Sequence, residues 1–581
     1  MKLANVSTAA LLALLLVGCT SSQPVTTPAP TERPESSTTA STDSTSAPDS
    51  GSDTTTGTTT DTTADTTAER PARPEEAPTD WFHLDRERRR IPGLATRSAY
   101  ETVLADRSPR DTVTVAIIDS GIDVDHEDLA ASTWTNRDEV PDNNEDDDNN
   151  GYVDDRHGWN FIGGPNGKNV EQDTYELTRL YVKYRERFAD VDSASVADSN
   201  RDAYRRFETL RKQFRQKRQQ AQKELKNVQQ ARDAVQFSEK VLSSHLGVDS
   251  LSRTTVDTLT ADDPQLRKAR DILLYFYRQD LTPQDIYDYY DSLKRRVEYN
   301  YNSDFNPRPI VGDDYADKTE RHYGNSDVEG PDPYHGTHVG GIVGAVRNND
   351  VGIDGVANAV RVMSVRAVPN GDERDKDVAN AIRYAVNNGA DVINMSFGKG
   401  YSPHKEVVDA AVRHADSMGV LMVHAAGNDG ANVDTTENYP TRTYLDDGQA
   451  QHWIEVGASS WEAPPNLVAP FSNYGEKSVD VFAPGRSIYS TVPDNQYEQS
   501  DGTSMAAPMV SGVAALVMAY FPELPVAQVR SIILETATPF PETMVTRPGG
   551  SETVPFGQLS RTGGIVNAQA ALQRAAALST Q

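Results

Sequence analysis

The 581-residue chain has a single cysteine, Cys19. No disulfide can form within it, so its folded parts must be held by packing rather than by covalent staples. Aromatic residues make up only 7%, and 57 lysines and arginines face 86 acidic residues, giving a net charge of −29. An acidic excess of that size keeps exposed surfaces soluble and argues against nucleic acid or another polyanion as partner. After Val17 no segment reads as apolar enough to span a membrane. From Thr20 to Pro78 large apolar residues are almost missing; this Thr-, Ser-, Pro-, Asp- and Glu-rich stretch cannot build a core and reads as a tether.

What precedes the tether is informative. Lys2 followed by the apolar run Ala9 to Val17 reads as an export signal, too short to cross a bilayer. It ends in Leu16-Val-Gly-Cys19, which resembles a bacterial lipobox and implies cleavage before Cys19 with acyl attachment to its sulfur. Each buried methylene contributes about 0.8 kcal/mol, so several acyl chains would anchor the protein without a spanning helix. The expected location is the bacterial cell envelope, exported and lipid-anchored, with the leaflet left open. Trp81-Phe-His-Leu84 marks where packing begins.

Reactive groups concentrate in three stretches: Ala116-Ile-Ile-Asp-Ser-Gly-Ile-Asp123, His335-Gly-Thr-His-Val-Gly-Gly341 and Gly502-Thr-Ser-Met-Ala-Ala-Pro508. A serine oxygen is a poor nucleophile at neutral pH. It needs an imidazole to take its proton and a carboxylate to hold that imidazole in the right tautomer. Asp119, His335 and Ser504 supply these groups. Thr112 to Ile118 is β-rich and apolar toward its end, which predicts a buried parallel strand delivering Asp119 at its carboxyl edge. His335 is expected to open a helix, and Ser504 to begin another that runs to Tyr520 with Pro508 in its first turn. Gly419-Val-Leu-Met-Val-His-Ala-Ala-Gly-Asn428 is an apolar strand ending in an amide side chain. Asn428 is the expected oxyanion donor, a role that stabilises a tetrahedral intermediate by roughly 3 to 4 kcal/mol.

In this order, and with Val392-Ile-Asn-Met-Ser-Phe-Gly398 and Gly563-Gly-Ile-Val-Asn-Ala568, the motifs resemble those of the subtilases, the subtilisin-like serine peptidases. The resemblance covers residues of about 112–165 and 325–575. It implies a serine endopeptidase that works on peptides or proteins through an acyl-enzyme, with no organic cofactor. It also implies that Ser396, Phe397 and Gly398 pair as a strand with an extended peptide. Together with Ala425, Ala426 and Gly427 they would wall the pocket for the residue preceding the cut, with a broad apolar preference that Phe397 could narrow. Two other readings stay open: a peptide-ligating or maturation enzyme of the same family, and a non-enzymatic binding lipoprotein.

A second signal is the acidic run from Asp142 to Asp155. Massed carboxylates repel unless a cation joins them. Asp146, Asp148 and Asn150 before Gly151 match the first half of an EF-hand loop, with the Tyr152 carbonyl and Asp154 at the next ligand positions. His157 stands where the bidentate glutamate should be. All-oxygen ligation suits a hard cation, so structural calcium is the expected ion, against the plainer reading of a solvated acidic loop. A further calcium position, at Asp128 and the loop Asn348-Asn-Asp-Val-Gly352, is implied only by the resemblance. His338 is read as structural, His424 as a buried hydrogen-bonded core residue, and His126 and His157 as loop residues.

Asp119 and His335 stand 216 positions apart, where the family usually places a few dozen, which implies an insertion. Within it Phe207, Phe214, Ala221, Val228, Val235 and Leu242 recur every seven residues, with Leu210 and Leu225 in the neighbouring stripe, predicting a long amphipathic helix. Thr282-Pro283-Gln284-Asp285 is a helix start. The partner of this insertion is left open, and its interspersed acids make a solvated face a better reading than nucleic-acid binding. The expected fold is a doubly wound, mostly parallel α/β sheet interrupted by an all-α insertion. Its segments are a lipoprotein signal (1–18), a tether (19–78), a first catalytic part (79–165), the helical insertion (166–320) and a second catalytic part (321–581). Strands are expected near 113–118, 361–367, 391–395, 419–425, 454–458 and 479–483, and helices near 376–388, 403–418 and 505–520.

Overall fold

The structure is a computed structural model and describes residues 76–141 and 143–579. The export signal, Cys19, all but the end of the tether, and Asp142 lie outside the described residues. In chain order the strands are β1 (Val113–Asp119), β2 (Gly158–Asn160), β3 (Val360–Arg366), β4 (Val392–Met395), β5 (Leu421–Ala425), β6 (Trp453–Ser459) and β7 (Val481–Pro484). They continue with β8 (Ile488–Val492), β9 (Gln496–Ser500), β10 (Thr538–Pro539), β11 (Met544–Thr546), β12 (Thr553–Pro555) and β13 (Gly564–Ile565). Nine of them form one sheet in the order β10-β13-β7-β6-β5-β4-β1-β3-β2. Only the β10–β13 pair is antiparallel; the other neighbours run parallel.

A parallel strand covered on both faces must be apolar at nearly every position, not at alternate ones. β1 obeys this. Val115 and Ile117 enter one core, with the helices Tyr334–Gly344 and Thr503–Tyr520. Ala116 and Ile118 enter a second core on the opposite face, with the helices Asp375–Asn387 and Lys405–Ser417. Helices on both faces make the sheet doubly wound. β1 lies between β3 and β4, so the order reverses there, and the crevice at such a switch point opens beyond the carboxyl ends of the strands.

The expected strands and helices form within a few residues of their predicted places. Two expectations need correcting. Pro508 is the sixth residue of its helix, in the second turn, and so removes an amide that would bond the Ser504 carbonyl. The same helix, Thr503–Tyr520, also has the length and hydropathy of a membrane span, yet all of its residues but Ser504 and Met518 are buried in the core. The segment from Trp81 is core as well. The Trp81 indole donates to the carbonyls of Arg486 and Ser487, and the Leu94 carbonyl accepts from the amide of Ala568 at the start of the helix Ala568–Ser579.

The predicted amphipathic helix spans Arg201–Leu246, 46 residues, and at about 1.5 Å per residue extends roughly 70 Å. Phe207, Leu210, Phe214, Ala221, Val228, Val235 and Leu242 are buried, and Leu225 is half-buried. Its first half packs Phe207 and Phe214 against Tyr181 and Phe188 of the helix Glu176–Phe188. Its second half packs Val235 and Leu242 against the helices Pro264–Tyr277 and Pro283–Arg295. The start at Thr282 is a full capping box with Asp285.

The helical segment between β2 and β3, the expected insertion, begins and ends at one place, where the Tyr175 amide donates to the Asn300 carbonyl at 3.1 Å. Its root is fixed by buried charges. Lys399 Nζ lies 2.8 Å from Asp375 and 3.5 Å from Glu176, and donates to the Glu373 carbonyl at 2.6 Å; Arg179 lies 2.6 Å from Glu176. Burial works against ionised Glu176, but Arg179 and Lys399 outweigh it and hold its carboxyl down at about 2. Lys399 follows Gly398 directly, so the insertion is rooted beside the Ser396–Gly398 segment.

Candidate active site

Asp119 ends β1 and is 2% exposed, and His335 is the second residue of the helix Tyr334–Gly344. They meet at Asp119 Oδ1 and His335 Nδ1, 2.7 Å apart. The same carboxylate oxygen accepts from the Ser120 amide at 2.7 Å, which orients it. The approach needs two glycines. A Cβ at Gly336 would stand 2.1 Å from the Gly121 carbonyl, and Gly121, at φ +124°, would push one to 1.9 Å from the Glu329 carbonyl. Desolvation opposes charge on His335, but the Asp119 carboxylate, through its charge and its hydrogen bond, outweighs it and raises the imidazole pKa. The imidazole still keeps 39% of its side-chain surface open.

Ser504 is the second residue of its helix. Its hydroxyl donates to the Ser396 carbonyl at 3.1 Å, with no hydrogen bond to His335, while the Ser396 hydroxyl donates to the Ser504 carbonyl at 2.9 Å. The second bond fills the vacancy left by Pro508. Ser396 Oγ in turn accepts from Asn394 Nδ2, and Asn394 Oδ1 accepts from the Ser511 hydroxyl, both at 2.9 Å. This buried polar chain ties the end of β4 to the serine helix.

Asn428 lies three residues past β5. Its Oδ1 accepts from the Thr503 amide at 2.9 Å and from the Thr503 hydroxyl at 3.1 Å, so the carboxamide oxygen is committed and its Nδ2 remains the free donor. Ala425 to Gly427 are steadied by Asn438, which donates to the Ala425 and Ala426 carbonyls, and by Asn473, which donates to Ala426. Gly398 faces the same Asn438; a Cβ there would lie 2.4 Å from its Oδ1. The two expected walls, Ser396-Phe397-Gly398 and Ala425-Ala426-Gly427, thus share one side chain. Thr503, Asn394 and Asn438 were not anticipated from the sequence, although Asn394, a polar residue inside an apolar strand, was a visible signal.

In the acidic loop the oxygen side chains cap nearby backbone amides. Asp146 accepts from the amides of Asn150 and Gly151, and Asp154 from those of Asn143 and Asn144. Asn150 Oδ1 accepts from the Tyr152 amide, and the Tyr152 ring packs on Trp159, Phe161 and Tyr384. Asp148, one of the five expected ligands, joins a carboxylate group that could hold a cation. It does so with Glu139 and Asp155, whose oxygens lie within 4.8 Å of one another. Burial pushes the Asp155 carboxyl up to about 6 despite hydrogen bonds from Tyr384, Asn136 and Asn150. Asp128 accepts from Asn349 Nδ2 through one oxygen and from the Ile353 amide through the other.

Three of the other histidines are placed as follows. His338 Nε2 faces the Ile488 and Glu498 carbonyls, and burial followed by the charge of His335 lowers its pKa to about 4. His126 lies in a loop, as expected, but is fully buried, and His157 Nδ1 bonds the Trp134 carbonyl.

Residues 233–560, more than half of the chain, match the subtilase family, peptidase S8. The chain belongs to that family. The matched range contains His335, Asn428 and Ser504 and begins after Asp119. The chain is 39% identical over 222 residues to the thermophilic serine proteinase of Bacillus sp. (strain AK1), covering 38% of this chain and 49% of that protein. It is 40% identical over 208 residues to subtilisin E of Bacillus subtilis (strain 168), covering 35% and 50%, and equally identical to the subtilisin of Bacillus pumilus, covering 35% and 70%. The match therefore spans about half the length of the first two relatives.

The paired bonds between Ser396 and Ser504 predict a thermodynamic coupling. Ser396→Ala leaves the Ser504 carbonyl unpaired and costs about 1 to 3 kcal/mol. In a Pro508→Ala background the restored amide can bond that carbonyl, so the same substitution costs measurably less in thermal unfolding. Equal costs in the two backgrounds would refute the coupling.

Proposed function

We propose that the protein is a serine endopeptidase in which Ser504 is the nucleophile, His335 the general base and acid, Asp119 the group that holds His335, and Asn428 the oxyanion donor. The observation that carries this reading is the 2.7 Å contact of Asp119 with His335 Nδ1. It fixes the proton on Nδ1 and leaves Nε2 able to take one from serine. The Ser504 hydroxyl is held by the Ser396 carbonyl in the free protein. A peptide N–H that pairs with that carbonyl would displace the hydroxyl and let it rotate toward His335. Ser504 then attacks the scissile carbonyl, and the oxyanion is met by Asn428 Nδ2 and a first-turn amide of the serine helix. His335 passes its proton to the leaving amine, and water repeats the sequence on the acyl-enzyme. No observation favours ligation or a purely binding role.

Ser504→Ala is expected to abolish casein hydrolysis, a loss on the order of a millionfold. Asn428→Leu should lower kcat about 100- to 1,000-fold with little change in KM. A protonated His335 cannot accept the serine proton, so activity falls as pH drops, with a midpoint above the ordinary 6.5, and Asp119→Asn moves that midpoint down. Undiminished hydrolysis by Ser504→Ala sinks the reading.

Structural calcium belongs to the same proposal. Its donors would come from Asp146, Asp148, Asn150, the Tyr152 carbonyl and Asp154, with Glu139 and Asp155 grouped beside Asp148. A chelator should lower Tm, and calcium, but not sodium, should restore it; an unchanged Tm excludes the ion. Export and anchoring through Cys19 rest on Leu16-Val-Gly-Cys19 in the sequence. Cys19→Ser should move the protein from the membrane to the soluble fraction and abolish acyl labelling, and continued membrane retention would count against the anchor.

A further inference from the structure

His424 is fully buried in β5, and the chemistry above makes no use of it. Its neighbour in register on β6 is Glu455. Nδ1 lies 2.9 Å from Glu455 Oε1, and Nε2 lies 2.9 Å from the Phe397 carbonyl. A carbonyl can only accept, so Nε2 carries a proton, and the imidazole is locked as a donor to the backbone. Glu455 is itself held: its Oε2 accepts from the Trp453 indole at 2.9 Å, and its amide donates to Asp480.

The target of that donation is what matters. Successive carbonyls of an extended segment point to opposite sides. Here the Ser396 carbonyl faces Ser504 while the next, that of Phe397, faces His424. One edge of the segment is thus left for a peptide, and the other is fastened to the sheet by a single side chain. β4 has already ended at Met395, so no ladder holds residue 397. Backbone pairing resumes only at Lys399, which exchanges amide bonds with Tyr439.

We propose that His424, oriented by Glu455, is a positioning residue that fixes the Phe397 carbonyl and so sets the peptide-pairing edge of Ser396–Gly398. The inference rests on the peptidase reading. It separates two classes of substrate: a peptide long enough to pair with the segment depends on His424, and a small acyl ester that reaches only Ser504, Asn428 and His335 does not.

The test compares kcat/KM on a tetrapeptide anilide with that on p-nitrophenyl acetate, together with the rate of fluorophosphonate labelling of Ser504. In His424→Ala the anilide value should fall about tenfold, mostly through KM, while ester turnover and labelling hold. Glu455→Gln should stay within about twofold on both substrates. Its amide can donate to Nδ1 and accept from Trp453, which preserves the Nε2–H donor. If the space left by alanine prevents folding, His424→Leu combined with Glu455→Leu fills it, leaves no buried charge and should show the same selective loss. Anilide and ester falling together, or neither falling, overturns the positioning role. A wild-type protein that neither turns over the ester nor takes the label overturns the peptidase reading itself.

Discussion

The hydrogen bond between Asp119 and His335 is the contact on which the rest of the site depends. It joins the end of β1 to the first turn of a helix 216 positions later, across the whole insertion. It can form only because Gly121 and Gly336 let two backbones approach where any Cβ would collide. The doubly wound sheet supplies the place: β1 sits at the reversal of strand order, so Asp119, Ser396 and Asn428 all emerge at the carboxyl edge of adjacent strands.

Around that contact the supporting bonds run between side chains and backbone. Pro508 denies the Ser504 carbonyl its helical partner, and Ser396 takes the vacancy. Thr503 commits one end of the Asn428 amide, and Asn438 lies between the two pocket walls. Ser504, Asn428 and the two walls are therefore held by polar side chains on neighbouring rigid elements, an arrangement that favours fixed geometry. The insertion is attached to the same region by Lys399, whose buried partners include an acid from each side of the junction, Asp375 and Glu176.

Much of this was legible in the sequence for identifiable reasons. β1, β4 and β5 are near-continuous apolar runs, and the helices that carry His335 and Ser504 begin at small-residue motifs. The long helix declares itself by a seven-residue spacing that a 46-residue helix can sustain. In the acidic loop Asp146 and Asp154 also cap nearby backbone amides, while Asp148 meets Asp155 and Glu139, a residue outside the acidic run that the local pattern does not pick out. The hairpin β8–β9 went unnoticed because β9, Gln496–Ser500, is polar and exposed and has no hydrophobic alternation. The partner of His424, Glu455, lies 31 positions away on the next strand, and no local pattern reveals a pairing that only sheet order creates.

The most direct measurement is the proton on His335 Nδ1. In nitrogen-15-labelled protein the structure predicts a downfield proton resonance coupled to a histidine ring nitrogen, protected from exchange, and lost in both Asp119→Ala and His335→Ala. Absence of that resonance in the wild type over the pH range of activity, or its survival in Asp119→Ala, would contradict the contact from which the whole account is built.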